Sequence, residues 1–399
     1  MPSFADLTTI GVGGKIAHFS EPTTRVGLIE AIEDADRVGM PLCMLGGGSN
    51  MLVSDSPFNG LVIRDGRRDI VVPDEAEPVE GSDRSVHLTA SAGANWDDFV
   101  EFAVSLGLEG VEGLSGIPGT VGASVVQNIG AYGQEVATSV ASVEVWDRQA
   151  KTVLTFDDAD MQFGYRTSAL KRSMFTDDGA RFFPSPRYVV LSVTFVLRHS
   201  PTGILAYPQL AKALHASLGD RMNTETIRDA VLKVRAAKGM LEDPARYESR
   251  WMSGMKREEN IAKASQSVET LQVHGTEPSR VFRITDRHSC GSFFVNPQIS
   301  AHDAAGLPDD APKFGVTLPD GQTGVKTSAA WLIDHAGFHR GFRLSERSGA
   351  ALSSLHTLAL TNLGGAKASE IWALAHAIQD GVRHAFGVDL VPEPVIVGL

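Results

Sequence analysis

A glycine-rich stretch near the middle of the chain could hold a ligand against bare backbone. Residues 112–133 read EGLSGIPGTVGASVVQNIGAYG and contain six glycines, with Glu112 as the only charge. Because glycine lacks a Cβ, the backbone N–H groups of such a segment can lie directly against a bound molecule. Turns between strands are the plainer explanation for a lone glycine. Six glycines interleaved with serine, threonine, glutamine and asparagine favour a ligand cradle.

A second glycine cluster, LGGGSN at residues 45–50, lies between two apolar segments. Consecutive N–H groups in such a turn can bind a diphosphate, although a tight hairpin is equally consistent with the pattern. The cluster fits neither GxGxxG nor GxxxxGK[ST], which argues against a Rossmann or P-loop nucleotide site. Two glycine cradles in one chain therefore favour a long ligand that touches two domains.

Three short motifs further along the chain carry side chains that could act in catalysis. They are FGYR (163–166), CGSFFVNP (290–297) and VPEP (391–394). Each has an ordinary structural explanation, with Arg166 as a surface charge, Ser292 as a turn cap and Glu393 as an exposed acid. The Phe-Phe pair after Ser292 does not fit the GxSxG elbow of a nucleophilic serine. The prolines beside Glu393 fix its backbone, which would suit a positioned acid or base.

Helix and strand patterns surround these motifs. Apolar spacing predicts helices over 24–38, 96–107, 327–337 and 367–387, and strands over 86–93, 142–147, 151–156 and 187–198. The acidic stretch 73–84 is predicted to be a domain boundary. The glycine clusters thus fall in a strand-rich first half and the later motifs in a mixed second half. Together these patterns predict an α+β protein of three parts.

Composition narrows the possible functions. The chain has 399 residues, enough for two or three domains, and its 43% hydrophobic and 21% charged residues are typical of a globular protein. A net charge of −12 argues against nucleic-acid binding, whereas an anionic small molecule needs only a few local donors. The two cysteines lie outside any metal or CxxC motif, and neither a signal peptide nor a membrane span is predicted. We expect a cytoplasmic monomer without a bound metal.

Taken in order, the motifs resemble one family. EGLSGIPGTVGASVVQNIGAYG, FGYR, GSFFVNP and LVPEP follow one another as in the UDP-N-acetylenolpyruvoylglucosamine reductases, flavoenzymes of peptidoglycan precursor synthesis. LGGGSN, AAWLID (329–334) and ALAHAIQDGV (373–382) fit the same pattern, so the resemblance covers nearly the whole chain. It implies an FAD-binding region of the vanillyl-alcohol-oxidase (PCMH) type and a C-terminal α+β substrate domain. It also implies that NADPH reduces non-covalently bound FAD, which reduces UDP-N-acetylglucosamine enolpyruvate to UDP-N-acetylmuramate.

The same resemblance implies roles for individual residues. Ser292 would protonate the substrate, and Arg166 and Glu393 would stabilise the enolate-like intermediate. The positions that match the family's substrate contacts are Tyr132, Tyr207, Lys238 and Asn296. The positions that match its FAD contacts are Gly46, Gly47, Gly48, Ser49, Asn50, Ser115, Gly116, Ile117, Pro118, Gly119, Thr120, Gly122, Ala123 and Ile129. The chemistry suits these roles, because reduction of the alkene leaves negative charge that needs a fixed cation and a proton donor.

The resemblance further implies a division of the chain. Two FAD-binding subdomains would cover 1–75 and 76–205, a substrate domain would cover 206–388, and segment 389–399 would return to the FAD region. An insertion over about 241–286 departs from the family pattern, because 52 residues separate Lys238 from Gly291. With eight basic and eight acidic residues from Glu242 to Arg287, it is predicted to be a solvated excursion that is dispensable for chemistry. Its one apolar cluster, which could pack or bind a partner, is Trp251, Met252 and Met255.

Two other interpretations stay open at this point. An FAD-dependent oxidase of the same superfamily would share the glycine loops but would not need Ser292, Arg166 and Glu393 together. A nucleotide-sugar-binding protein without catalysis would bind no flavin. A yellow purified protein would favour both flavoenzymes, and reoxidation of the reduced protein by the enolpyruvyl substrate would separate the reductase from the oxidase.

Overall fold

The computed structural model of the chain describes residues 1–73, 84–176, 179–273 and 284–399. Most of the acidic stretch predicted as a domain boundary, 73–84, lies outside these residues, as does part of the predicted insertion. Helices and strands are mixed along the described chain, which confirms the predicted α+β class. Among the described residues, no helix has the length and apolar content needed to cross a membrane.

The N-terminal region builds a small parallel sheet. Its elements are α1 (Phe4–Leu7), β1 (Ile16–Ser20), α2 (Arg25–Arg37), β2 (Leu42–Met44), β3 (Met51–Val53) and β4 (Phe58–Ile63). Strands β1, β4 and β2 pair in that order. Strand β3 pairs instead with a parallel strand at Val395–Val397, near the C-terminus. The LGGGSN loop therefore links strands of two different sheets, and the pairing of β3 fixes the C-terminal segment beside this loop.

The second region is a larger antiparallel sheet with a helical layer. Its elements are β5 (Ile70–Val71), β6 (Ser85–Ser91), α3 (Trp96–Ser105), β7 (Leu108–Glu109), α4 (Val121–Gln127), β8 (Gly130–Ala131), β9 (Gln134–Glu135), β10 (Val140–Asp147), β11 (Thr152–Phe156), α5 (Asp158–Met161), α6 (Ala169–Arg172) and β12 (Tyr188–His199). The strand order is β11-β10-β12-β6-β5, with β7 beside β12. Phe195 of β12 packs against Trp96 and Phe99 of α3 in a fully apolar core. This packing holds the start of α3 against the glycine-rich stretch.

The third region contains six of the twelve α-helices of the described residues, together with several small sheets. Its elements are β13 (Thr202–Ile204), α7 (Pro208–Ala213), β14 (Arg221–Asn223), α8 (Thr224–Ala237), α9 (Glu258–Val273), β15 (Gln298–Ser300), α10 (Ala301–Ala305), β16 (Phe314–Thr317), β17 (Thr323–Lys326), α11 (Ala329–His335), β18 (Ala350–Leu352), β19 (Leu360–Asn362), α12 (Ala368–Phe386) and β20 (Val395–Val397). Short 3-10 helices lie at Glu112–Leu114, Val136–Ser139, Pro244–Glu248 and Ile284–Arg287. Phe293 and Phe294 are fully buried in a core with α11 and α12. These two buried rings thereby hold the motif around Ser292 against this core.

The described part of segment 241–286 is not a solvated excursion. Met252 and Met255 are 2% and 4% exposed and belong to the core beneath the N-terminal sheet. Lys256 and Asn260 are also buried, and α9 packs through apolar side chains against α8. The prediction of a solvated segment is therefore wrong for these residues. A balance of acidic and basic residues does not require exposure to solvent, because these charged side chains pair with one another and with Asp97 of α3. The predicted apolar face does pack, with Trp251 set edge-on against Phe19.

Candidate active site

A cavity of about 330 Å³ lies where these regions meet. Its size falls within the range of about 300–1,000 Å³ that is usual for small-molecule sites. Both glycine-rich loops contribute to its wall, together with Arg166, Ser292 and Glu393. The predicted catalytic residues and most of the predicted cofactor residues therefore surround one space.

The first glycine-rich loop, residues 46–50, lines the cavity along its whole length. Within the described part of the chain, no acceptor takes a hydrogen bond from the backbone N–H groups of these residues. The loop lies close to the second one, because a Cβ on Gly47 would lie 2.6 Å from the Cα of Gly119. The hydroxyl of Ser49 donates to the carbonyl of Pro118 over 2.8 Å. The two loops thus touch, and the first leaves a row of donors for a ligand.

The second glycine-rich loop, residues 115–120 within the stretch 112–133, leads into α4, which the sequence patterns did not predict. Thr120 caps this helix by accepting a hydrogen bond from the Ala123 N–H. The predicted FAD residues of this segment that line the cavity are Ile117, Pro118, Gly119, Thr120, Gly122, Ala123 and Ile129. Ser115 and Gly116 lie behind the wall instead, where Ser115 donates to the Glu112 carbonyl and the Gly116 N–H donates to Asp97 over 2.7 Å. These two residues fix the loop from behind.

Four polar side chains form a continuous chain on one side of the cavity. Arg166 Nε lies 3.3 Å from Glu393 Oε1, and Gln127 Nε2 donates to the same oxygen over 3.2 Å. Lys171 Nζ in turn donates to Gln127 Oε1 over 2.7 Å. All four residues line the cavity. A cation, an amide and a second cation therefore determine the environment of one carboxyl group.

The backbone of Arg166 adopts a left-handed conformation, with φ at +56°. For a residue other than glycine this costs about 1–3 kcal/mol and persists where the surroundings fix it. Here the guanidinium donates to the carbonyls of Asn128 and Gly130 over 3.3 and 2.6 Å. A Cβ on Gly130 would lie 2.9 Å from the guanidinium, so this contact depends on glycine. Arg166 is thus held as a fixed cation.

Backbone pairing brings Ser292 next to Glu393. Phe294 and Pro392 form an antiparallel bridge, and the Glu393 N–H donates to the Phe293 carbonyl over 2.9 Å. Ser292 lies two residues before Phe294 on one side, and Glu393 immediately follows Pro392 on the other. A hydroxyl and a carboxyl that are distant in sequence therefore both line the cavity.

Burial governs the ionisation of this cluster. It raises the pKa of the Glu393 carboxyl, and the opposing effects of Arg166, Gln127 and Lys171 do not cancel that rise. Burial also lowers the pKa of the Lys171 ammonium, which Glu393 partly offsets. A carboxyl with a raised pKa can carry a proton and donate a hydrogen bond, while Arg166 keeps its charge. The site thus combines a permanent cation with an acid.

The predicted substrate residues form a neighbouring group. The rings of Tyr132 and Tyr207 pack edge to face, with centroids 5.5 Å apart. Lys238 Nζ lies 5.9 Å from the Tyr132 ring centroid, and burial lowers the pKa of its ammonium. Burial raises the pKa of the Tyr132 hydroxyl, and Arg235, which lines the cavity, lies close enough to oppose that rise. These residues thus lie together beside the cavity rather than in its wall.

Asn296 lies apart from that group. Its side-chain oxygen accepts a hydrogen bond from the Ala329 N–H over 3.0 Å, at the start of α11. Burial raises the pKa of Tyr165, the neighbour of Arg166, and Asn296 lies close enough to that residue to oppose the rise. Asn296 therefore connects α11 of the third region to the FGYR motif.

Sequence reasoning assigned no role to Gln127, Lys171 or Arg235, although all three line the cavity. Spacing carried a signal for two of them. Arg235 lies in the last turn of α8 and precedes Lys238, the residue at the C-terminal cap of this helix, by three positions. Lys171 lies in α6, which begins directly after its cap Ser168, so the chain turns back toward Arg166. No comparable pattern distinguished Gln127 from the other polar residues of the glycine-rich stretch.

Comparisons with known proteins agree along the chain. A family model described as the C-terminal domain of UDP-N-acetylenolpyruvoylglucosamine reductase matches residues 283–397, and an FAD-binding domain model matches residues 16–155. A UDP-N-acetylenolpyruvoylglucosamine reductase of Cutibacterium acnes is 39% identical over 396 residues, which is 99% of this chain and 89% of that protein. One of Thermobifida fusca is 38% identical and covers 99% of this chain and 96% of its own length.

A solved structure supports the fold. The chain is similar to UDP-N-acetylenolpyruvylglucosamine reductase from Thermus caldophilus, with a TM-score of 0.54 and 22% identity over 99% of this chain and 97% of that one. Together with the FAD-binding domain match, this confirms the predicted FAD-binding fold for the first half of the chain.

Proposed function

The chain belongs to the UDP-N-acetylenolpyruvoylglucosamine reductase family, and from this premise we propose that it reduces UDP-N-acetylglucosamine enolpyruvate to UDP-N-acetylmuramate. NADPH would be the reductant and non-covalently bound FAD the cofactor, in peptidoglycan precursor synthesis. The observation that carries the proposal is the meeting of Ser292, Arg166 and Glu393 at a cavity lined by both glycine-rich loops. An oxidase of the same superfamily would not require that constellation.

The cavity residues fit FAD. The N–H groups of loop 46–50, which have no acceptor within the described residues, suit the oxygens of a diphosphate. The absence of side chains at Gly46 and Gly47 lets the two loops approach each other closely in the cavity wall. When bound, FAD would carry two electrons from NADPH to the enolpyruvyl double bond. The chain would hold it without a covalent bond, since neither loop contains a cysteine or histidine.

The remaining chemistry falls to three side chains. Reduction at one carbon of the double bond leaves negative charge on the neighbouring carbon and on its carboxylate. Arg166 is a fixed cation that would stabilise this charge, and a protonated Glu393 would add a hydrogen bond. Ser292 would donate the proton that completes the new C–H bond, after which solvent would restore its hydroxyl. A hydroxyl is a weak acid in water but can protonate a strong carbanion when its position is held.

The neighbouring group of Tyr132, Tyr207 and Lys238 would bind the nucleotide-sugar part of the substrate. A lysine provides a compact charge for a diphosphate, and the two rings provide apolar surface. Asn296 would contribute from the other side, through its link to the FGYR motif. We propose that these contacts lie in a substrate domain over 206–388, next to FAD subdomains over 1–75 and 76–205 and the returning segment 389–399.

Anaerobic spectroscopy tests this function directly. The purified protein should be yellow, NADPH should bleach its flavin absorbance, and UDP-N-acetylglucosamine enolpyruvate should restore the absorbance without oxygen. A colourless protein that cannot be loaded with FAD would contradict the proposal. A flavin that only oxygen can reoxidise would indicate the oxidase instead.

A further inference from the structure

One arginine of segment 242–260, Arg246, contacts the first glycine-rich loop, residues 46–50. Arg246 donates to the Gly47 carbonyl over 2.6 Å, and the same nitrogen donates to the Leu7 carbonyl. Its other terminal nitrogen donates to Glu242 Oε1 over 2.6 Å. The Arg246 side chain is 10% exposed and that of Glu242 is 6% exposed. The loop that offers its N–H groups to the cavity is thus held through a carbonyl on its other side.

The same series of contacts between charged side chains continues to the second glycine-rich loop. Glu242 Oε2 accepts a hydrogen bond from the Tyr247 hydroxyl over 2.7 Å and lies 3.9 Å from Lys256 Nζ. Lys256 Nζ lies 3.0 Å from Asp97 Oδ2, and Asp97 Oδ1 accepts the Gly116 N–H over 2.7 Å. A path of buried charges therefore runs from Gly47 to Gly116.

Further contacts tie this path to the helices around it. Arg228 of α8 pairs with Asp97 over 2.6 Å and donates to Asn260 over 3.0 Å. Asn260 in turn donates to Asp98 over 2.6 Å. Arg235 of α8 donates to the Gly116 carbonyl, so side chains hold both the N–H and the C=O of this glycine.

Buried ion pairs are a costly means of stabilisation, because desolvation offsets most of their attraction, and apolar residues often replace them without loss. Their stronger contribution is geometric, since a fork such as that of Arg246 fixes several acceptors at once. Glycine-rich loops have the opposite property, because they lose the most backbone freedom when they become ordered. A ligand binds more tightly to a loop whose ordering has already been completed in the free protein.

We propose that residues 242–260 form a clamp that holds both glycine-rich loops in the conformation that binds FAD, with Arg246 as its main positioning residue. The inference rests on the proposed function for the identity of the ligand. It gives the segment predicted to be dispensable a direct part in cofactor affinity. It also requires that loosening the clamp weaken FAD binding more than it weakens the fold.

The test compares purified Arg246→Met and Arg246→Lys proteins with wild type and with Lys263→Met as the matched control. Lys263 of α9 forms an exposed ion pair with Asp229 of α8, and the two side chains are 40% and 48% exposed. Fluorescence of FAD released on dilution gives the Kd for FAD, and flavin circular dichroism reports the cofactor environment. Urea unfolding with FAD at the same multiple of each protein's own Kd reports the stability of the fold, because the stabilisation by bound FAD is then equal in all proteins. We expect the Kd to rise about 10- to 100-fold in Arg246→Met, to rise less in Arg246→Lys, and to stay within about twofold in Lys263→Met.

A rise in Kd with an altered flavin spectrum and an unfolding midpoint close to that of Lys263→Met would support the clamp. An unchanged Kd in Arg246→Met would overturn it. A higher Kd with an unaltered flavin spectrum and a matching fall in the unfolding midpoint would also overturn it, because that pattern indicates general destabilisation. If Arg246→Met does not fold, a wild-type Kd in Arg246→Lys would overturn the inference and a raised Kd would support it. A wild-type protein without affinity for FAD would overturn the proposed function, and the clamp with it.

Discussion

Replacing Lys171 with methionine removes the charge at the end of the hydrogen-bonded series Lys171–Gln127–Glu393 and keeps a side chain of similar length. Lys171 donates to Gln127 Oε1 over 2.7 Å, and Gln127 Nε2 donates to Glu393 over 3.2 Å. Because an ammonium group can only donate, it determines which end of the amide faces Glu393. In Lys171→Met the Gln127 amide can turn and present its oxygen to the carboxyl instead.

The expected loss of rate in Lys171→Met follows from the type of hydrogen bond that is removed. A hydrogen bond to a charged group contributes about 1.5–3 kcal/mol, which corresponds to about 10- to 150-fold in the rate of a step that depends on it. Burial already raises the pKa of Glu393, and Lys171 opposes that rise, so the variant should have a still higher Glu393 pKa. If the protonated carboxyl is the active form, activity is present below this pKa and is lost as pH rises through it. The alkaline limb should therefore move to higher pH in the variant.

Anaerobic stopped-flow measurements of the flavin absorbance across a pH series test both effects. Reduction by NADPH should change little, and reoxidation by the enolpyruvyl substrate should slow by the stated factor at low pH. Lys171→Arg keeps the charge and the donors, so it should retain most of the rate and a wild-type alkaline limb. Equal slowing of both half-reactions, or an unchanged pH profile in Lys171→Met, would refute this account of the cluster.

Three other outcomes are expected. Ser292→Ala should leave reduction by NADPH nearly intact and slow substrate reduction about 10²- to 10⁴-fold in stopped-flow, with Ser292→Cys less impaired; equal slowing of the two steps would point to a structural role. Asp97→Asn should lower the free energy of unfolding by about 3–5 kcal/mol in urea, because it leaves Lys256 and Arg228 buried without their partner, and a loss below 1 kcal/mol would contradict this. Burial alone would raise the pKa of Asp97, but Lys256 and Arg228 hold it well below its usual range. The contribution of Asp97 to the free energy of unfolding is therefore present above pH about 4 and is lost as the pH falls further. The Asp97→Asn protein should lack this pH dependence. Denaturation should release free FAD, and flavin that stays on the denatured chain would exclude non-covalent binding.

Regular periodicity made much of the fold predictable. The predicted helices 24–38 and 367–387 correspond to α2 and α12, and the predicted strand 187–198 corresponds to β12. These elements have one clearly apolar face, which is the property that sequence spacing reports. Helix α4 was missed because Gly122 and the β-branched valines of this short segment oppose helix formation, and the Thr120 cap and the packing of the buried valines compensate.

The buried segment after α8 was unpredictable for a different reason. Its basic and acidic residues balance, and balanced charge usually indicates a solvated surface. The partners that bury Arg246 and Lys256 are a backbone carbonyl of the first loop and Asp97 on α3, both distant in sequence. No local pattern encodes such pairing. Acidic residues are rarely buried unless they are paired, and Asp97 at the start of α3 is such a case, because it is 1% exposed and pairs with Lys256 and Arg228.

The three residues proposed for catalysis illustrate how backbone geometry converts ordinary side chains into a site. An arginine after an aromatic pair, a serine after a glycine and a glutamate between prolines are each unremarkable in sequence. Arg166 becomes a fixed cation because its backbone is left-handed and two carbonyls hold its guanidinium. Ser292 and Glu393 line the same cavity because the bridge between Phe294 and Pro392 joins their segments. A substitution that breaks this bridge should therefore impair the site as a charge change would, although it alters no reactive group.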